Sequence, residues 1–227
     1  MQPGPTLAAR DLACRRGDRV LFRGLSLELR AGDALYLSGP NGIGKTSLLR
    51  ILAGLLRPFA GSVERSGTLG MVDGRAALDP QLPLGKALNF WAKLDGSGSP
   101  DAAAERLGLA NLLDVPVRYL STGQTKRAAL TRLLAQDASI WLLDEPLNGL
   151  DVEGVALTET LVAEHCASGG IAVVASHQHV ALPGTRVIAL ERFLPSPSEE
   201  GPGVGKVPPV QGITSPTPSP PLKGRGL

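Results

Sequence analysis

Apolar and polar positions alternate from Leu25 to Leu29, with Leu25, Leu27 and Leu29 set against Ser26 and Glu28, the period of a half-exposed strand. Together with the stretch from Leu7 to Cys14, this predicts an antiparallel edge at the front of the domain. Ala34 to Ser38 is a short apolar run that stops at Gly39, and beyond it Leu48, Leu49, Leu52, Leu55 and Leu56 return at helical spacing until Pro58 limits the helix. Two further runs, Ile140 to Leu143 and Ile171 to Ala175, are apolar throughout and end in charged or turn residues. That suits central strands covered by helices on both faces. Val187 to Leu190 offers one more strand. Between Asp73 and Arg118 the period turns helical (Leu84, Leu88, Trp91, then Ala102 to Leu109), which predicts a small helical insertion at about 74–125. From Pro195 to Leu227 the periodicity is gone and proline and glycine dominate. Such a segment buries too little apolar surface to offset its ordering entropy, so a disordered tail is expected at 195–227 after one domain at 1–194.

Composition narrows the function classes. A chain of 227 residues can bury a full core. Its formal net charge is only +2 and its aromatics are few, so neither a basic field nor a stacking surface argues for nucleic acid. No segment reaches the ~20 apolar residues of a membrane span, and the first ten residues lack a secretory signal's apolar stretch. A cytosolic chain is expected. Cys14 and Cys166 stand in no metal-like spacing and read as free thiols.

Chemistry enters at Gly39-Pro40-Asn41-Gly42-Ile43-Gly44-Lys45-Thr46, which has the phosphate-loop spacing G-x-x-x-x-G-K-[ST]. Its glycines let backbone N–H groups converge on phosphate oxygens, and the following helix adds its positive end. Lys45 supplies a full charge to the β- and γ-phosphates, and the Thr46 hydroxyl is placed to ligate Mg²⁺. Asp144 closes an apolar strand and is the carboxylate expected to hold Mg²⁺ opposite Thr46, with Glu145 next to it. Ser121-Thr122-Gly123-Gln124 precedes a run of good helix formers, Thr125 to Leu134. At that position it can serve either as an anion site or as an ordinary helix cap. His177 ends an apolar run, where open α/β sheets place ligand-contacting residues.

The order phosphate loop, S-x-G-Q, acidic strand and histidine resembles the ATP-binding-cassette (ABC) ATPases. The resemblance implies an α/β fold with a mostly parallel sheet core, an antiparallel N-terminal β subdomain and a small helical subdomain. It also implies ATP and Mg²⁺ as cofactors, Glu145 polarising the attacking water and His177 sensing the γ-phosphate. Ser121, Gly123 and Gln124 then complete the ATP site of a second copy in a head-to-tail dimer, with Leu150-Asp151 similar to the family's dimer-contacting loop. Two departures stand out. No glutamine occupies Gly70-Met71-Val72-Asp73-Gly74-Arg75, where the family usually has one, and Gln81 lies too far along. The adenine-stacking aromatic expected before Gly17 is replaced by Arg16, whose guanidinium can stack on a base or simply remain in solvent. His165 and His179 read as surface residues.

Further stretches resemble the ATP-binding subunits of bacterial cytochrome c maturation exporters, often called haem exporters. They are Leu12 to Gly17, Leu88-Asn89-Phe90-Trp91, Trp141 to Pro146, Ser176-His177-Gln178 and Ala181-Leu182-Pro183-Gly184. This implies an ATPase with integral membrane permease partners, held peripherally on the cytoplasmic face of the bacterial inner membrane. An ATPase of another ABC transporter, or a soluble member such as an iron–sulfur assembly factor, shares the same core motifs.

Overall fold

The computed structural model describes residues 4–74, 76–177 and 184–195. Residues 1–3, Arg75, residues 178–183, which include Gln178, His179 and Ala181-Leu182-Pro183, and the tail from residue 196 lie outside them. Strand β1 (Thr6–Arg16) pairs antiparallel with β2 (Arg19–Arg30) and β4 (Ala60–Ser66), giving the order β2-β1-β4. The second sheet is parallel, ordered β5-β6-β7-β3-β8, from β3 (Ala34–Ser38), β5 (Leu69–Val72), β6 (Ile140–Asp144), β7 (Ile171–Ala175) and β8 (Arg186–Ala189). This is the α/β architecture expected.

Every residue of β6 and β7 is buried, and the period-2 alternation divides them between two cores. Ile140, Leu142, Ile171, Val173 and Ala175 join the antiparallel sheet and helix α1 (Lys45–Leu52). Trp141, Leu143, Ala172 and Val174 join the helical segment on the opposite face. That segment comprises α2 (Leu84–Asp95), α3 (Asp101–Arg106) and α4 (Thr122–Ala135), and α4 packs on α2, α3 and β5. Helix α5 (Val152–Ala167) covers β7. Among the described residues no helix is long and apolar enough to cross a membrane, and both cysteines are free.

One local expectation needs correction, and one strand was not foreseen. Helix α1 stops at Leu52 rather than continuing through Leu55 and Leu56. Gly54 turns into the left-handed region at φ 76°, and the N–H groups of Leu55 and Leu56 fold back onto the carbonyl of Arg50. Leu55 is left exposed while Leu56 reaches the core. Strand β4 carries no apolar alternation, because all of its side chains except half-buried Val63 face solvent. It is a strand because the free edge of β1 pairs with it.

Candidate active site

Strand β3 ends at Ser38, and the chain then wraps through residues 39–44 into α1. Gly39, Gly42 and Gly44 all have positive φ (145°, 80° and 122°), so the curl requires glycine. A Cβ at Gly44 would press on Phe22 and Leu21, whereas Gly42 faces open space. No side chain caps α1 and its first turn holds no acid, so its N–H groups and positive end remain available for an anion. Leu21, Asn41, Gly42, Gly44, Lys45, Thr46, Ser47 and Glu145 line a single cavity of about 200 Å³.

Around this loop the ends of β6 and β7 deliver acids and a histidine. Thr46 Oγ1 donates to Asp144 Oδ2 at 2.7 Å across 98 positions of sequence. Asp144 is 6% exposed, and its other oxygen, Oδ1, has no hydrogen-bond partner. Burial pushes its carboxyl above the usual range. The Thr46 bond opposes that rise, and the charges of Glu145 and Asp73 add to it. A hydroxyl beside a buried carboxylate with an orphaned oxygen fits a hard divalent cation. On α4, burial lowers the pKa of Lys126, opposed by the charges of Asp144, Asp73 and Glu145.

Glu145 is held in the left-handed region at φ 48°, unusual for a non-glycine residue, with its N–H fixed on Ala175 O at 2.8 Å. Its Oε1 lies 3.5 Å from Lys45 Nζ and its Oε2 2.9 Å from His177 Nδ1. A carboxylate only accepts, so the proton of that bond sits on Nδ1. Lys45 Nζ also donates to Gly39 O at 2.6 Å and to Pro40 O at 3.3 Å. Sequence reasoning did not single out Tyr36, whose hydroxyl donates to Ser176 O at 3.1 Å and steadies the turn before His177. The only signal was a phenol inside an apolar run.

The structure gathers the signature residues elsewhere. Ser121 Oγ accepts from Gln124 N at 3.2 Å, and Gln124 Oε1 accepts from Ser121 N at 2.8 Å, a reciprocal cap on α4. A Cβ at Gly123 would come within 2.9 Å of Gly149 O, so the signature abuts the loop after β6. Asp151 caps α5 by accepting from Gly154 N at 2.8 Å. None of these residues lines the phosphate cavity, nor does Arg16, which is exposed at the β1–β2 turn. Gln81 is tied to Arg118. His165 is no surface residue. It is half-buried and stacks on Trp141 with ring centroids 3.9 Å apart and planes 6° apart, its Nε2 3.2 Å from Ile171 O.

The family described as ABC transporter matches residues 22–148. The cytochrome c biogenesis ATP-binding export protein CcmA of Novosphingobium aromaticivorans is 58% identical over 189 residues, covering 83% of this chain and 97% of that protein. Proteins of the same description from Zymomonas mobilis and Rhodospirillum rubrum are 49% and 46% identical, over 83% and 84% of this chain and 86% and 88% of their own lengths. Two solved structures share the fold. An ABC transporter ATP-binding protein from Pyrococcus furiosus gives a TM-score of 0.75 at 22% identity, over 84% of this chain and 100% of that chain. An inward-facing metal-chelate type ABC transporter gives 0.66 at 24% identity, over 77% and 74%.

Proposed function

The chain belongs to the ABC transporter family and, within it, to the cytochrome c biogenesis ATP-binding export proteins, and from that membership we propose how its residues bind and hydrolyse ATP. It is an ABC-type ATPase. Its place is that of the ATP-hydrolysing subunit of an exporter serving cytochrome c biogenesis, with haem the cargo implied by the resemblance. Its partners are integral membrane permease subunits and a second copy of itself, and it is held peripherally on the cytoplasmic face of the inner membrane.

The observation that carries the mechanism is the chain of contacts Lys45–Glu145–His177 beside the Thr46–Asp144 pair. The γ-phosphate enters the open space at Gly42 and takes over the Lys45 ammonium from Gly39 O and Pro40 O. Backbone N–H groups of the loop and the positive end of α1 receive the remaining phosphate oxygens. Thr46 and Asp144 are the residues that would hold Mg²⁺, which would supply charge neutralisation for the phosphates. Glu145 accepts the proton of a water whose oxygen attacks phosphorus as the bond to the bridging oxygen breaks, leaving ADP and phosphate. His177 holds the Glu145 carboxylate through Nδ1, and the family resemblance gives it the sensing of the γ-phosphate.

Glu145→Gln preserves size and removes the base. Turnover is expected to fall roughly 10²–10⁴-fold while ATP still binds, read by steady-state hydrolysis beside equilibrium nucleotide titration. Near-wild-type hydrolysis in this variant would remove Glu145 from the mechanism.

A further inference from the structure

Strands β5 and β6 run parallel with Val72 opposite Leu143, so the next residues, Asp73 and Asp144, emerge side by side at the strand ends. Helix α1 answers both. Thr46 and Arg50 stand four residues apart on one helical face. Thr46 Oγ1 meets Asp144 Oδ2 at 2.7 Å, and Arg50 Nη2 lies 3.7 Å from Asp73 Oδ2. One face of the phosphate-loop helix therefore grips two adjacent strand-end carboxylates. The inner one, 94% buried, keeps an oxygen with no partner. The outer one, Asp73, is 30% exposed, open enough for water to stand between it and that oxygen.

We propose that Asp73, held by Arg50, is a positioning residue of the metal site, orienting through water the cation bound by Thr46 and Asp144. The inference rests on the nucleotide-site reading above. Direct coordination by Asp73 is not required. Its carboxylate accepts hydrogen bonds from cation-bound water, and Arg50 keeps it from swinging into solvent. Partners of this kind orient metal-bound groups, and their loss weakens metal binding about ten-fold or more.

The test uses the full chain with Mn²⁺ as the probe. Free Mn²⁺ is followed by electron paramagnetic resonance at saturating non-hydrolysable ATP analogue, and analogue affinity is measured separately in EDTA. Asp73→Asn keeps the shape and removes the charge. It is expected to weaken Mn²⁺ binding about ten-fold, with metal-free nucleotide affinity and melting temperature unchanged. Asp73→Glu, which keeps the carboxylate one methylene further out, is expected to retain most of the Mn²⁺ affinity but alter the spectrum of the bound ion. It also stands as the second variant should Asp73→Asn fail to fold. Wild-type Mn²⁺ affinity and an unchanged spectrum in either folded variant overturn the proposal. Wild-type protein that binds the analogue in EDTA but no Mn²⁺ in its presence would overturn the Thr46–Asp144 reading along with it.

Discussion

Glu145 and His165 show how differently two ionisable residues can be built into one sheet. Glu145 sits in a strained backbone conformation at the carboxyl end of β6, with one oxygen toward a cation and the other on an imidazole. His165 lies on α5 near the opposite end of β6, flat against Trp141. Burial holds the His165 imidazole below its ordinary value, with the carbonyls of Ile171 and Ser139 opposing the shift. Below pH of about 6.5 the unfolded chain then takes up a proton that the folded chain refuses. The stability associated with neutral His165 is present above that value and is lost as pH falls below it toward the lowered value of the folded imidazole. His165→Phe keeps a ring against Trp141 and removes the titration. Its melting temperature is expected to depend less on pH than that of wild type between roughly pH 7 and 5, measured by thermal unfolding at several pH values. Equal pH dependence in both proteins would show that His165 carries none of it.

The start of α4 bears two readings at once. In this structure Ser121 and Gln124 cap each other, which alone explains an S-x-x-Q spacing before a helix. The family resemblance assigns the same atoms to a nucleotide on a second copy. Asp caps a helix as well as Ser does but repels phosphate, so Ser121→Asp separates the two readings. The melting temperature should hold while ATPase activity falls by roughly 10²-fold. Retained activity would reduce the motif to a helix cap. Ser121→Ala, by contrast, should cost about 1 kcal/mol of stability through loss of the cap, read from denaturant unfolding. Helix α1 carries a related lesson: leucine spacing foretold its face, and Gly54, by adopting a positive φ, ended it one turn early.

At the scale of the molecule, the phosphate cavity contains none of Ser121, Gly123, Gln124 or Asp151. On the proposed reading, one copy offers ATP the loop, the metal pair and the base, but not the signature. Two copies arranged head to tail give two complete sites in a closed two-fold assembly. On the same reading, ATP would favour that assembly through its greater affinity for it. Mixing Lys45→Ala with Ser121→Arg subunits places both lesions in one site and leaves the other intact. ATPase activity is expected to recover in part on mixing and to be absent from either variant alone. No recovery in verified mixed dimers would count against independently working composite sites.

Most of the fold and the chemical inventory of the site could be read from the sequence, because both depend on short-range spacing. A glycine loop feeding a helix sets the phosphate cradle within eight residues, and short apolar runs suffice to mark β3, β6 and β7 as strands, with β6 and β7 buried along their whole length. An acid at the end of such a run is committed to the sheet's carboxyl edge wherever the strand is placed. What the tertiary structure decided depends on pairings between distant segments. The β5–β6 register puts Asp73 beside Asp144, the edge of β1 makes a strand of solvent-facing β4, and the approach of α5 to β6 stacks His165 on Trp141. No local pattern encodes these. Each follows from which edge or face was left open once the central strands had assembled, and an open edge must find hydrogen-bond partners and an open face must find cover.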